Sequence, residues 1–144
     1  MLALRGVVIP PTNIHCEFCR KVPENSNHFF FHCLVSKSIW GRIFLWIGED
    51  INLTIEELMD FGSIQEKVKN IKMREKINTI WIATMWSLWL MRNTMVFDKV
   101  PFSFEAVCTN VMSLSWSWLD RFKPLSSSSF YEWYKLPLAC FNSL

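Results

Sequence analysis

The sequence predicts a mainly α-helical chain, in which a small cysteine- and histidine-containing segment is followed by a bundle of about four helices. Apolar residues recur at three- and four-residue intervals through 35–47 and again through 103–122, as they do on one face of a helix. Between these stretches, residues 77–91 carry no charge at all. With 144 residues, half of them hydrophobic, and eight tryptophans, the chain can bury a sizeable core as one domain.

The cysteine- and histidine-containing segment runs from Cys16 to Cys33. It contains Cys16-x₂-Cys19, and His28 precedes Cys33 by five positions. Thiolates and an imidazole are the ligands that tetrahedral Zn²⁺ prefers, and a Cys-x₂-Cys turn followed by a second ligand pair is a spacing typical of structural zinc sites. We therefore predict a zinc knuckle over 16–33 with one structural Zn²⁺ bound by Cys16, Cys19, His28 and Cys33. Four protein ligands leave no open position for a catalytic water.

Other interpretations of this segment stay open at the level of sequence. Free cysteines are often buried simply as small hydrophobic residues, and His28 could be an ordinary surface histidine. Cys-x₂-Cys is also a redox spacing, although no βαβ pattern surrounds it here. His15 and His32 are alternative fourth ligands. We favour His28, because His32 adjoins Cys33 and binding of both to one ion would strain the chelate.

The rest of the chain divides into a helical body and two ends. Residues 1–15 form a lead-in interrupted by Pro10-Pro11, 34–123 form the helical body, and 124–144 form a serine-rich linker with an aromatic tail expected to dock onto that body. Within the body the pattern predicts helices over 35–47, from Thr54 to near Gly62, over 65–97 and over 103–122. Ser36 and Gly48 are the predicted start and stop signals of the first helix, and Thr54 is the predicted N-cap of the second.

The uncharged run 77–91 raises the question of a membrane span. As a helix it would extend about 22 Å, short of the roughly 30 Å of a bilayer core. Four polar residues, Asn78, Thr79, Thr84 and Ser87, dilute it further. We therefore expect a buried central helix, with membrane association through 77–97 as the weaker alternative.

The cysteines and the N-terminal residues bear on location. Val7-Val8-Ile9 runs straight into two prolines, so no signal-peptide core is present. Outside the proposed metal site, Cys108 and Cys140 are isolated, which is typical of reduced thiols. These observations predict an intracellular protein, nuclear or cytoplasmic, that is not secreted.

Charge is unevenly distributed, although the net charge is only +2. Residues 49–66 contain six acidic and no basic residues, whereas 67–99 contain seven basic and two acidic ones. Stacking and phosphate contacts to single-stranded RNA or DNA are predicted for the side chains of two segments: Phe18, Arg20 and Lys21 in the knuckle, and Lys67, Lys69, Lys72, Arg74 and Lys76 in the basic run. A basic run is also commonly just a solvated helix face.

Enzymatic patterns are absent from the sequence. The four aspartates, Asp50, Asp60, Asp98 and Asp120, are scattered, and no Asp-Asp pair offers the clustered carboxylates of two-metal phosphoryl transfer. The four glycines occur singly, so no glycine-rich phosphate loop exists. We expect a non-enzyme without a small-molecule substrate.

Several short motifs resemble one known family. They are Leu4-Arg5-Gly6-Val7, the Cys16/Cys19 pair, Pro23-Glu24-x-Ser26-x-His28-Phe29-Phe30, Cys33-x₂-Ser36-x₂-Ile39-Trp40, Leu88-Trp89-Leu90-Met91-Arg92-Asn93 with Val96-Phe97, Leu114-Ser115-Trp116-x-Trp118 and Phe130-Tyr131-Glu132-Trp133. Together they resemble the zinc-binding domain that follows the reverse transcriptase in plant non-LTR (LINE-class) retrotransposons. Family members usually carry a small residue, often glycine, at the position of Arg20.

This resemblance implies a non-catalytic module that helps the element's RNA or target DNA engage the polymerase. It also implies a partner, the body of the reverse transcriptase polyprotein. The polymerase and endonuclease that normally precede the domain are missing, so the expectation is a truncated remnant. The alternative hypothesis is a zinc-stapled structural or protein-interaction module that does not bind nucleic acid.

Overall fold

The computed structural model describes residues 15–48, 54–122 and 129–137. These residues form six α-helices and one π-helical turn and contain no β-strand, which confirms the predicted mainly α fold. In chain order the elements are the π-helical turn His28–His32, α1 Leu34–Ile47, α2 Ile55–Met59, α3 Phe61–Lys67, α4 Ile71–Asp98, α5 Phe104–Phe122 and α6 Phe130–Lys135. The predicted lead-in, apart from its last residue, and most of the serine-rich linker lie outside the described residues.

Helix α1 agrees with its prediction at both ends to within one residue. It ends at Gly48, which adopts a left-handed backbone conformation (φ 77°) and donates its N–H to the carbonyl of Phe44. Glycine suits this position because it has no Cβ to clash there. Ser36 does not start the helix, because Cys33 is the N-cap; instead the buried Ser36 hydroxyl donates to the carbonyl of Phe29.

The segment between α1 and α4 corrects two predicted boundaries. Thr54 caps α2 as predicted, and Glu57 completes a reciprocal capping box with it. The helix then stops at Met59, because Asp60 turns its carboxylate back to the N–H of Gly62, at 2.9 Å, and starts α3. Gly62 therefore lies in the first turn of a new helix rather than at the end of the old one.

The long helix begins later than the predicted residue 65. Residues 65–67 belong to α3, and 68–70 form a short link. Asn70 then caps α4 by accepting the N–H of Met73 at 3.1 Å. The sequence pattern ran across this break because the polar residues on either side of it fit a helix equally well.

Helices α4 and α5 pack along each other and supply the middle of the core. Ile80 and Leu88 of α4 and Val107 and Val111 of α5 are almost completely buried. The prediction that the uncharged run is a buried helix is only half right. One face of α4 is open, since Ile82 and Trp86 are each 47% exposed and Leu90 is 38% exposed. No helix among the described residues is long and apolar enough to cross a membrane.

The C-terminal aromatic segment docks onto the body as α6, as predicted. Trp133 is fully buried, and its indole N–H donates to the hydroxyl of Ser115 on α5 at 3.1 Å. Trp46 of α1 donates its indole N–H to the carbonyl of Tyr134 at 2.7 Å. The segment is therefore held by burial of one large ring and by hydrogen bonds to two different helices.

Candidate metal centre

The first half of the centre is a tight loop around the Cys-x₂-Cys pair. The N–H of Cys16 donates to the carbonyl of Val22 at 2.8 Å, and the N–H of Arg20 donates to the carbonyl of Cys16 at 2.7 Å. To close this turn, Arg20 adopts a left-handed backbone conformation (φ 57°), which residues other than glycine rarely take. The turn brings the side chains of Cys16 and Cys19 to the same side of the loop.

The second half is the π-helical turn, which brings His28 and Cys33 to the loop. Its wider hydrogen-bond ring is closed by the N–H of Cys33, which donates to the carbonyl of His28 at 2.7 Å. The side chain of Asn25 fixes the start of the turn by accepting the N–H of His28 at 2.9 Å. Three consecutive phenylalanines, Phe29, Phe30 and Phe31, are all buried in this turn and anchor it to the core.

The four predicted donor atoms converge. The sulfurs of Cys16 and Cys33 are 3.9 Å apart, the sulfur of Cys19 lies 3.3 Å from Nε2 of His28, and all four donor atoms lie within 4.8 Å of one another. Tetrahedral Zn²⁺ with ordinary bond lengths would need separations of about 3.8 Å between sulfurs and about 3.6 Å between sulfur and nitrogen. These four residues can therefore hold a metal ion.

The structure also separates the alternative fourth ligands. His28 contributes its ring nitrogen to the cluster, whereas His15 and His32 are exposed and do not belong to it. All three cysteines are free thiols, so a disulfide does not compete for them. Across the described ranges this is the one group of its kind.

Burial and hydrogen bonding make the cysteine thiols unlike one another. Burial raises the pKa of Cys16 to about 12, outweighing hydrogen bonds from the backbone of Cys19 and Phe18 that act to lower it, and the nearby charges of Cys33 and Cys19 add to the rise. Burial also acts to raise the pKa of Cys19, but hydrogen bonds from the backbone of Lys21, from the His28 ring and from the backbone of Val22 outweigh it and lower that pKa to about 6. A metal ion must displace any proton that these thiols carry, because only the thiolate is a ligand.

An ion pair that the sequence analysis missed connects this centre to α4. The guanidinium of Arg92 contacts both carboxylate oxygens of Glu24, with the shortest contact, from Nη2 to Oε1, at 2.9 Å. Both side chains are nearly buried, at 5% and 13% exposure. The sequence offered little signal for this pair. Glu24 and Arg92 each stand in one of the motifs that resemble the retrotransposon domain, but they are 68 residues apart.

The predicted nucleic-acid contacts of the knuckle are only partly accessible. Arg20 and Lys21 are exposed, and Arg20 forms a surface ion pair with Glu17 at 3.0 Å. Phe18 packs between Phe29 and Phe102, with ring centroids 4.7 and 5.1 Å away. The ring of Phe18 is therefore partly covered by contacts that fasten the loop to the body, and its stacking on nucleic-acid bases stays a prediction.

The predicted basic run does not form one face of one helix. Lys67 pairs with Glu57 at 3.1 Å, and Arg74 donates to the carbonyl of Val68 at 2.8 Å. Lys76 is only 3% exposed, so a phosphate contact from it is inconsistent with this fold. Lys69, in the link before α4, and Lys72, in its first turn, are exposed and remain candidates.

Comparison of the chain with models of known protein families, with curated proteins and with solved structures finds no match.

Proposed function

We propose that this chain is a non-catalytic zinc-binding module, related to the retrotransposon domain that its motifs resemble. The observation that carries the proposal is the convergence of three thiols and one imidazole at separations suited to tetrahedral zinc. Cys16, Cys19, His28 and Cys33 would all be ligands, so the ion would have no open position. Such an ion supplies folding free energy rather than Lewis-acid chemistry.

Metal analysis of the purified protein tests this proposal. We expect one zinc per chain in the parent and none in a Cys16→Ser/Cys33→Ser variant. Cys108→Ser is the matched control, since Cys108 is also buried and free but lies on α5, outside the cluster. Well-folded parent protein that binds no zinc would overturn the proposal.

The proposed role of the module is to bind single-stranded RNA or DNA. Arg20 and Lys21 are exposed on the loop that carries the metal ligands, and Lys69 and Lys72 are exposed before and at the start of α4. Since Phe18 is partly covered by Phe29 and Phe102, we propose that contacts to phosphates, rather than base stacking on the knuckle, provide the affinity. Lys76 is buried and forms no part of this surface.

Salt dependence and charge removal test that role. Binding of a labelled single-stranded RNA should weaken steeply as salt rises, because counterions are released when phosphates are neutralised. An Arg20→Gln/Lys21→Gln variant and a Lys69→Gln/Lys72→Gln variant should each weaken binding, whereas Lys37→Gln, an exposed lysine on α1, should not. Undiminished binding by both double variants would contradict a phosphate-binding surface at these sites.

A second candidate function, docking onto the reverse transcriptase polyprotein body, is favoured by the open face of α4. Ile82, Trp86 and Leu90 recur every four residues on it and are partly exposed. Apolar docking of this kind would survive high salt, and a Trp86→Lys change would weaken it without altering RNA binding. The two candidates are therefore separable in one set of binding assays.

A further inference from the structure

The ion pair between Glu24 and Arg92 joins the segment after the Cys16–Cys19 turn to helix α4, 68 residues further along the chain. Arg92 lies in the last third of α4, and Glu24 directly follows the loop that holds Cys16 and Cys19. Nε of Arg92 lies 3.0 and 3.2 Å from the two carboxylate oxygens, and Nη2 lies 2.9 Å from one of them. Such a forked contact fixes direction as well as distance.

The Glu24 carboxylate also reaches back to the Cys16–Cys19 turn. Its Oε2 accepts the N–H of Glu17, the residue after Cys16, at 3.3 Å. Just before Glu24, His15 and Pro23 pair through their backbones, and Cys16 bonds to Val22. One carboxylate thus links the backbone of the Cys-x₂-Cys turn to a side chain of the central helix.

Arg92 is itself held in place by its surroundings. Nη1 donates to the side chain of Asn93 at 3.4 Å, and the guanidinium lies over the ring of Trp89 at 5.7 Å. Burial of an ion pair adds little net stability compared with apolar side chains of similar size, because desolvation offsets the attraction. The arrangement is therefore better explained by orientation of the loop than by its contribution to stability.

We propose that Arg92 is a positioning residue for the metal centre, acting through Glu24 on the Cys16–Cys19 turn. This inference rests on the proposed zinc site. Partners beyond the ligand shell usually set how well the ligands are oriented, and their loss weakens metal binding by about ten- to a hundredfold. Because coupling is reciprocal, zinc binding should also order the region of α4 around Arg92.

The test is the zinc dissociation constant, measured by competition with a chromogenic chelator on chains shown to be folded by circular dichroism. We expect Arg92→Met to weaken zinc binding about ten- to a hundredfold and Arg92→Lys to weaken it less. Arg121→Met, at an exposed arginine of α5, is the matched control and should bind zinc as the parent does. Cobalt substituted for zinc should give a changed d–d absorption spectrum in the Arg92 variants.

A double variant separates positioning from simple stabilisation. Glu24→Met/Arg92→Met removes both buried charges and should fold at least as well as Arg92→Met, yet it leaves the Glu17 N–H without its acceptor. We expect its zinc affinity to stay low. Recovery of parental affinity in the double variant, or parental affinity in folded Arg92→Met, would overturn the inference and leave the zinc site standing. A parent that binds no zinc would overturn the zinc site itself.

Discussion

The metal loop, residues 15–33, and the α4–α5 pair are stabilised in different ways. The loop has one short regular element, the π-helical turn. It is held by backbone hydrogen bonds, by the contact between Phe18 and Phe29, by the Glu24–Arg92 ion pair and by the metal ion proposed to bind its four donor side chains. The helix pair is held by continuous apolar packing along its length, with Leu88 and Val111 fully buried. Stability in the loop therefore depends on a few specific groups, whereas in the helices it is spread over many side chains.

Removal of the proposed zinc ion should separate the stabilities of the two regions most strongly. Structural sites bind zinc with an apparent binding free energy on the order of 10 kcal/mol, and this energy stabilises the folded state. Treatment of the zinc-loaded protein with a strong chelator should therefore remove most of the stability of the metal loop. We expect amide hydrogens of 15–33 to lose protection from exchange while those of α4 and α5 keep most of theirs. Equal loss in both regions would show that the two form one cooperative unit.

Substitution of Trp133, the buried residue of α6, tests whether the stability of the helical body is independent of the metal loop. Trp133→Ala should cost about 3–5 kcal/mol in urea unfolding, since it empties a fully buried site and leaves Ser115 without its indole partner. Tyr134→Ala, next to it and 49% exposed, should cost far less. Zinc affinity should be unchanged in both variants. A large loss of affinity would connect α6 to the metal centre.

Two leucines on α4 test which of its faces contributes to the stability of the helix pair. Leu88 is completely buried and Leu90 is 38% exposed, although they stand two residues apart in the same uncharged run. Leu88→Ala should destabilise the chain by about 2–5 kcal/mol, and Leu90→Ala by less than about 1 kcal/mol. Urea denaturation of both variants measures this, and similar losses would mean that Leu90 is covered by another surface in solution.

The smallest expected effect concerns the strained turn in the loop. Arg20→Gly should stabilise the zinc-loaded loop by about 1 kcal/mol, because glycine adopts the left-handed conformation without a clash. The lost ion pair with Glu17 is exposed and contributes little. Lys21→Gly lacks this benefit and should be neutral or destabilising. Thermal unfolding of both variants measures the difference, and a destabilised Arg20→Gly would show that the conformation is not strained.

The same turn is where the chain differs from the domains that its motifs resemble. The resembled domains usually carry a small residue, often glycine, where this chain has Arg20, and the backbone there is left-handed. In this chain the turn is closed by backbone hydrogen bonds from Cys16 to Val22 and from Arg20 to Cys16. Sequence spacing predicted which four residues come together in a cluster that could hold a metal ion, because the positions of thiols and an imidazole along the chain limit where they can meet.

The helices of the body were predictable where local signals were strong. Gly48 and Thr54 act as the predicted stop and cap, since both depend on the residue's own conformation or hydrogen bonding. The breaks before α3 and before α4 were missed, because Asp60 and Asn70, respectively, make capping contacts that compete closely with a continued helix. Local sequence thus determined that these segments are helical. Where α3 and α4 begin depended on whether a side-chain capping hydrogen bond formed in place of the backbone hydrogen bond of a continued helix.

By itself, the sequence determined the helical class and which four residues could hold a metal ion, because spacing and periodicity act over a few residues. The tertiary structure alone decided which face of α4 stays open, that Phe18 packs against Phe102, that Lys76 is buried, and that Glu24 meets Arg92. Each of these depends on contacts between segments distant in the chain. Periodicity can place a residue on a helix face, but only packing determines what that face meets.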